Sequence, residues 1–314
     1  MTDRPKVAVL LSTYNGSAFL AEQLDSLFQQ TYTHFILVAR DDGSDDASVD
    51  ILRQYQSQHP QQIHLVDAAE SRRNLGASAS FSFLVDYVLA HKEELGLQRA
   101  YMLFCDQDDV WCAEKIEQEL LAMQQAESGP DGTDKPVLVH SELRVVDERK
   151  NLIAESFTRY QGLEIDRNSF CNLVISNLVT GCTAVINEAL ARKALPVPGQ
   201  AIMHDWWMAM VATAFGELVF VDQPLVHYRQ HEANTIGARE HKREETGIGT
   251  ALLRLLSLQV NEHLLEVAEQ AAVFLARYSD QLSTHNRKGL QLASRMKTSV
   301  GLLQRINYRR ARRY

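Results

Sequence analysis

Apolar positions in this chain alternate between two rhythms. Residues 7–11 form a continuous aliphatic run, the mark of a central strand buried on both faces. The run breaks into the polar turn Ser12-Thr-Tyr-Asn-Gly16. Phe19, Leu20, Leu24, Leu27 and Phe28 then recur at helical spacing, with Ser17 as the expected N-cap. Residues 35–39 read as a second strand, ending in Arg40-Asp-Asp-Gly-Ser-Asp-Asp46, and Val49, Leu52 and Tyr55 resume the helical spacing. Residues 63–66 are a third strand, and the helix after Arg72-Arg-Asn-Leu-Gly76 carries Phe83, Leu84, Tyr87 and Val88 on one face. Residues 101–105 are a fourth. Strands and helices at this pace predict a mostly parallel, doubly wound α/β sheet.

The rhythm changes after residue 105. A helix over 113–125 gives way to a loop over 127–136, rich in Gly, Pro and Asp. Residues 137–147 alternate enough for an edge or antiparallel strand. Residues 179–187 read as a strand whose Gly181 suggests a bulge or close backbone approach. His204-Asp-Trp-Trp207 opens a helix running to 215, residues 217–221 are the last clear strand, and 226–231 follow a proline. From about 247 the chain reads as two or three amphipathic helices, on Leu252, Leu255, Leu256, Leu264, Leu265 and Val267. The expected division is a domain over 1–235 and a helical extension over 236–314.

Composition narrows the picture a little. A length of 314 residues suits one large domain with an appendage. The net charge of −8 argues against general nucleic-acid binding. Residues 281–314 nevertheless hold Arg287, Lys288, Arg295, Lys297, Arg305, Arg309, Arg310, Arg312 and Arg313 with no acidic residue, so this stretch reads either as a solubilising tail or as a contact for an anionic membrane surface. Cys105, Cys112, Cys171 and Cys182 show no CxxC pair, which fits free thiols in a reducing cytoplasm. The N-terminus carries no apolar leader, and no run reaches membrane-spanning length.

The candidate chemistry lies at strand ends. The fourth strand runs straight into Asp106-Gln-Asp-Asp109, three carboxylates with no Lys or Arg among them. Such a turn either caps the next helix or holds a divalent cation, since Mg²⁺ and Mn²⁺ prefer oxygen ligands. In doubly wound sheets, ligands bind beyond the carboxyl ends of the strands. Here three such ends carry residues 12–16, 41–46 and 106–109, and a merely solvated turn has no reason to share its edge with two others so polar. That favours the metal.

Taken together, Ser12-Thr-Tyr-Asn15, Asp41-Asp-Gly-Ser44, Asn74-Leu-Gly76, Asp106-Gln-Asp-Asp109 and His204-Asp-Trp-Trp207 resemble inverting family 2 glycosyltransferases of the GT-A type, over residues 5–235. Asp-Gln-Asp-Asp-Val-Trp, His-Asp-Trp-Trp and Tyr228-Arg-Gln-His231 are most similar to the bacterial rhamnosyltransferase branch. The resemblance implies a GT-A fold, a Rossmann-like mixed sheet, with a dTDP- or UDP-sugar donor, most specifically dTDP-L-rhamnose. It implies a polysaccharide or lipid-linked glycan as acceptor. In this frame Asp41 or Asp42 accepts the imide N–H of the base, and Ser12, Thr13, Tyr14, Asn15 and Glu22 line the nucleoside pocket. Arg72 or Arg73 pairs with the diphosphate. Asp106 touches ribose or metal, Asp108 binds the metal, and His231 is a further ligand, with Mg²⁺ or Mn²⁺ as the ion. Asp205 is the expected general base. Trp206, Trp207 and Gly181 are expected at the acceptor. Glu142 stands where the family often has Asp, so no role is assigned to it. The extension is left to dimerise the protein, cradle the acceptor or dock on the inner membrane face.

Two other classes compete. Asp106-x-Asp108 after an apolar strand also matches a haloacid-dehalogenase-type phosphohydrolase, but that motif belongs near an N-terminus and leaves the polar ends of the earlier strands unexplained. A non-catalytic nucleotide-sugar-binding protein would have little use for both Asp108 and Asp205.

Overall fold

The structure is a computed structural model that describes residues 4–66, 74–231, 260–298 and 300–312. Strands β1 (Val7–Thr13), β2 (Phe35–Asp41), β3 (Ile63–Leu65) and β4 (Met102–Cys105) pair in parallel in the order β3-β2-β1-β4. Beyond them come β5 (Val110–Trp111), β6 (Val137–Val146), β7 (Leu152–Ala154), β8 (Ala184–Ile186) and β9 (Glu217–Arg229). β8 runs antiparallel between β4 and β6. β9 lies parallel to β6, and β5 and β7 add antiparallel pairs to β9 and β6. The sheet is therefore mixed, as the resemblance implies, and less parallel than the strand–helix rhythm alone predicts.

Side chains of a strand alternate between faces, and that alternation builds two cores. Ala8, Leu10, Ile36, Val38, Met102 and Phe104 face one side; Val7, Val9, Leu11, Leu37, Leu103 and Cys105 face the other. The helices are α1 (Leu20–Phe28), α2 (Ser48–Gln58), α3 (Ala77–Ala90), α4 (Lys115–Ala126), α5 (Phe157–Gln161), α6 (Phe170–Leu173), α7 (Glu188–Ala194), α8 (His204–Phe215), α9 (Glu262–Tyr278), α10 (Thr284–Ser294) and α11 (Gly301–Ala311). α1, α2 and α4 cover the second face with Leu24, Leu27, Leu52, Ile116 and Met123. α3 and α8 cover the first, and α9 to α11 pack outside α8, contributing Val267, Phe274, Leu290 and Ala311 to the same core. The described C-terminal helices thus share the core on that face of the sheet. Leu252, Leu255, Leu256 and the expected boundary at 235 lie outside the described residues.

Three local expectations need correction or narrowing. α1 starts at Leu20 with Phe19, not Ser17, at the N-cap and no side-chain cap; the Ser17 amide and side chain turn to Asp46 instead. Residues 137–147 take the antiparallel alternative rather than the edge: β6 pairs antiparallel with β7 and β8, lies between β8 and β9, and its polar His140, Ser141 and Glu142 are buried. Residues 217–221 and 226–229 belong to one strand, β9. The register against β6 jumps from Ser141↔Val221 to Glu142↔Pro224, so a bulge takes up the residues beside the proline, which has no N–H for the ladder.

Candidate active site

The turns after β1 and β2 are tied together bond by bond. Asn15 sits at φ 49°, a left-handed conformation that Asn tolerates. Its amide donates to Ser44 Oγ, its Oδ1 accepts the Asp45 amide, and the Gly16 amide donates to Ser48 Oγ. The acidic loop joins them through Gln107, whose Oε1 accepts the Tyr14 amide at 2.8 Å and whose Nε2 donates to the Tyr14 carbonyl at 3.0 Å. A Cβ at 16 would lie 2.2 Å from Gln107 Oε1, so a larger residue there would displace the Gln107 side chain from Tyr14. Asp41 accepts from Thr13 Oγ1 and from the Gly43 and Ser44 amides, an Asx turn closed by glycine. Asp42 is buried, paired with Arg40, and accepts the Leu75 and Gly76 amides at 2.8 Å each. Ser12 bonds Ser80 at 2.7 Å, and Thr13 is buried. Of the residues expected to line a nucleoside pocket, Tyr14 keeps the open ring, 49 % exposed.

The acidic loop between β4 and β5 is held from the far strand. Arg229, buried at the end of β9, donates to the carbonyls of Asp108 (2.8 Å) and Glu148 (2.6 Å), pairs with Glu22, and lies 4.6 Å over the Phe19 ring. Its amide donates to Asp109. Burial works against the Glu22 carboxylate, but Arg229 and Lys150 hold its pKa below the usual range. His231 Nε2 lies 2.9 Å from Asp108 Oδ2, beside an open cleft of about 560 Å³ lined by Asp147, Glu148, Arg149, Asn151, Gln230 and His231. The Asp106 carboxylate receives no hydrogen bond among the described residues. Burial, then the charges of Asp108 and Asp205, push its pKa up to about 7. Asp109, fully buried, is pushed up by burial, Asp108 and Asp106, and its Oδ2 meets no donor among the described residues.

Asp205 sits in the first turn of α8, and its charge reaches Asp106. Its Oδ1 accepts the Trp206 amide at 2.6 Å, with Asn177 Nδ2 at 3.5 Å. Burial outweighs these bonds and that of the Gly181 amide, and sets the pKa at about 6. Gly181 faces both: a Cβ there would stand 3.4 Å from His204 Nε2 and 3.5 Å from Asp205 Oδ2, in ordinary contact. His204 stacks on Phe81, and burial drives its pKa down to about 3, so the ring is neutral.

The residues present fit a divalent cation. Asp106 is repelled by both Asp108 and Asp205, and Asp108 brings an oxygen and His231 a nitrogen to one point. Asp106 also clusters with Asp109 and Cys182 within 4.8 Å. The last two are fully buried, and a thiol suits softer ions than Mg²⁺ or Mn²⁺.

Two expectations fail at the acceptor side. Trp207 is fully buried, with its indole N–H on the Ala194 carbonyl at 3.0 Å and its ring against Phe274. Trp206 is 4 % exposed, and its N–H goes to the Leu173 carbonyl. Both build the core under α8, and neither offers a sugar a flat face. Arg72 and Arg73 lie outside the described residues. Glu142 anchors α5, accepting from Ser156 and from the Phe157 and Thr158 amides. Gln107, Asn177 and His204 have no role assigned from sequence, although Gln107 lies inside the acidic motif and His204 inside the His-Asp-Trp-Trp motif.

A mixed sheet with three polar strand ends and an acidic crevice defines a GT-A-fold transferase. Residues 8–191 match the family model "Glycosyl transferase family 2", and the chain belongs to that family. Among its relatives is the dTDP-rhamnosyl transferase RfbG of Shigella flexneri, 26% identical over 233 residues that cover 73% of this chain and 74% of RfbG. An uncharacterized glycosyltransferase of Nostoc sp. is 25% identical over 87% of this chain and 80% of its own. The solved structure of the mannosyltransferase PcManGT of Pyrobaculum calidifontis, in complex with GDP-Man and Mn²⁺, superposes with a TM-score of 0.57 at 15% identity, covering 99% of this chain and 76% of that one. S. aureus TarS 1-349 in complex with UDP-GlcNAc gives 0.54 at 13% identity, covering 98% and 90%. These two likenesses bear on the fold alone.

Proposed function

We propose that this chain is an inverting glycosyltransferase that moves L-rhamnose from dTDP-L-rhamnose to a hydroxyl of a cell-surface polysaccharide or a lipid-linked glycan. The observation that carries it is Asp205, a carboxylate in the first turn of a core helix, close enough for its charge to act on Asp106 and pushed by burial to a pKa of about 6. Such a group is ionised at neutral pH yet basic enough to accept a proton. It takes the acceptor hydroxyl's proton as that oxygen bonds to the anomeric carbon. The bond from that carbon to the phosphate oxygen breaks, and the nucleoside diphosphate leaves with the electron pair, inverting the centre. RfbG, named as a dTDP-rhamnosyl transferase, supports the choice of donor.

Asp106, Asp108 and His231 would hold Mg²⁺ or Mn²⁺. When bound, that ion supplies charge to stabilise the leaving diphosphate. Tyr14 is the open ring for the base. Asp42, with three of about four acceptor positions filled against all four for Asp41, is the better placed to meet the imide N–H. Arg73 belongs to this reading as a diphosphate contact. Gly181 remains the acceptor-side residue, because it lies against Asp205. All four cysteines are free, which agrees with work in a reducing cytoplasm.

Asp205→Asn tests the reading. Transfer from dTDP-L-rhamnose to a purified glycan acceptor should fall by about 10²- to 10⁴-fold while donor binding, followed by calorimetry, stays within twofold. Loss of both together would remove Asp205 from the role of base.

A further inference from the structure

α11 has two unlike faces. Gly301, Gln304 and Ala311 are buried, and Tyr308 packs against the core. On the outer side Leu302 is 38 % exposed, Leu303 50 % and Ile306 38 %, with Val300 at 39 % just before them. Arg309 and Arg310 continue this stripe one turn on, exposed and without an acidic partner among the described residues. Single exposed leucines are ordinary, but four aliphatic side chains within seven residues make a patch that calls for a partner.

The surrounding charge says which partner. Residues 281–314 carry nine Lys and Arg and no Asp or Glu. A second copy docking on this face would bring its own cations against these, and like charges across an interface are costly. Leucine and isoleucine beside arginine on one helix face is the composition of a segment lying in the headgroup region of a bilayer.

The placement of α11 adds a second reason. The Asn261 amide donates to Gln304 Oε1 at 2.9 Å, and Gln304 Nε2 donates to the Asn261 carbonyl at 3.0 Å. Asn261 caps α9, and His263 in its first turn lies 5.9 Å, ring to ring, from Trp206, the neighbour of Asp205. α11 therefore begins at the end of the molecule where α8 presents its carboxylate. We propose that α11 docks the protein on an anionic membrane surface, with Val300, Leu302, Leu303 and Ile306 in the headgroup boundary and Arg309 and Arg310 against lipid phosphates. Docked this way, the acidic crevice lies near the bilayer, where a lipid-linked acceptor would be. Lipid binding needs no donor, so it stands apart from the reading of Asp205.

The test is sedimentation of the full-length protein with vesicles of phosphatidylcholine alone or mixed with phosphatidylglycerol. Binding to the anionic vesicles only, weakened by salt, is expected. Leu302→Ser with Leu303→Ser and Ile306→Ser should weaken it by about tenfold or more. Arg309→Ala with Arg310→Ala should weaken it about thirty-fold. All five side chains are exposed, so thermal unfolding should not change, and Asp205→Asn should bind vesicles as the wild type does. Binding to neither vesicle, or equal binding by wild type and both variants, overturns the proposal. So does a wild-type dimer in equilibrium sedimentation that the serine variant dissolves, which would make this face a self-contact.

Discussion

Two groups of carboxylates line one edge of the same sheet, and their surroundings treat them in opposite ways. After β2, Asp41, Asp42 and Asp46 are met by donors: backbone amides, serine and threonine hydroxyls, and the Arg40 guanidinium. After β4, the Asp106 carboxylate receives no hydrogen bond among the described residues, and its neighbours are Asp108 and Asp205. The first group is held by donors of the fold itself, with one acceptor position left on Asp42. In the second, Asp108 meets His231 and Asp109 the Arg229 amide, but the Asp106 carboxylate is left against two like charges, which a cation arriving from outside would offset. Donor satisfaction, more than acidity, separates scaffold from site here.

The largest effect should come from breaking the satisfied side. Asp42→Ala removes the carboxylate that the buried Arg40 and two amides share, and the cost should be about 3–5 kcal/mol in urea unfolding. A loss under 1 kcal/mol would mean that the pairing is incidental. The mirror experiment is Asp106→Asn. Removing a repelled charge should stabilise the apo protein by about 2 kcal/mol at neutral pH while turnover drops about a hundred-fold. The sign follows from the raised pKa. The folded state holds this proton more tightly than the unfolded state, so ionisation costs stability above about 7 and nothing below the usual 3.8. The variant's advantage should therefore grow from pH 4 to pH 7. Adding Mn²⁺ should raise the wild-type Tm and leave the variant's nearly unchanged.

The framework side was largely legible from sequence, and the reason is physical. Unbroken aliphatic runs such as residues 7–11 have few structures open to them other than a strand buried on both faces, and that is what β1 is. Legibility failed where a polar residue is buried with partners distant in sequence. His140, Ser141 and Glu142 look like an edge, yet Ser141 answers to Glu119 and Glu142 to the start of α5. Pro224 looks like a strand end because a bulge cannot be read from one strand alone. Trp206 and Trp207 look like a sugar platform until Phe274 of α9 and the carbonyls of Leu173 and Ala194 are seen around them. The acidic clusters were visible at once. Which of them was satisfied was not, since Leu75 and Gly76, the donors to Asp42, lie more than thirty residues away.

A gentler probe compares the two groups through pH. If Asp205 is the base, its ionised form is the active one. kcat/KM should hold level above about pH 6 and fall about tenfold per unit below it. A profile that stays flat to pH 5 would place the base elsewhere.

The smallest effect belongs to Asp46, whose carboxylate accepts the Ser17 and Ser48 amides at 2.9 Å each. Burial opposes its ionisation, but these serines outweigh it and bring the pKa down to about 2. The side chain is partly exposed, so solvent takes back much of that gain, and Asp46→Ala should cost only about 1 kcal/mol. Its pH dependence should run opposite to that of Asp106. A depressed folded pKa means that the stabilisation is complete above the usual 3.8 and disappears as pH falls towards 2. Wild type and Asp46→Ala should thus differ by a constant amount from pH 5 to 8 and converge below pH 4, whereas Asp106→Asn and wild type diverge as pH rises. Parallel curves for the two variants would show that both loops are satisfied alike, and the distinction between framework and site would fail.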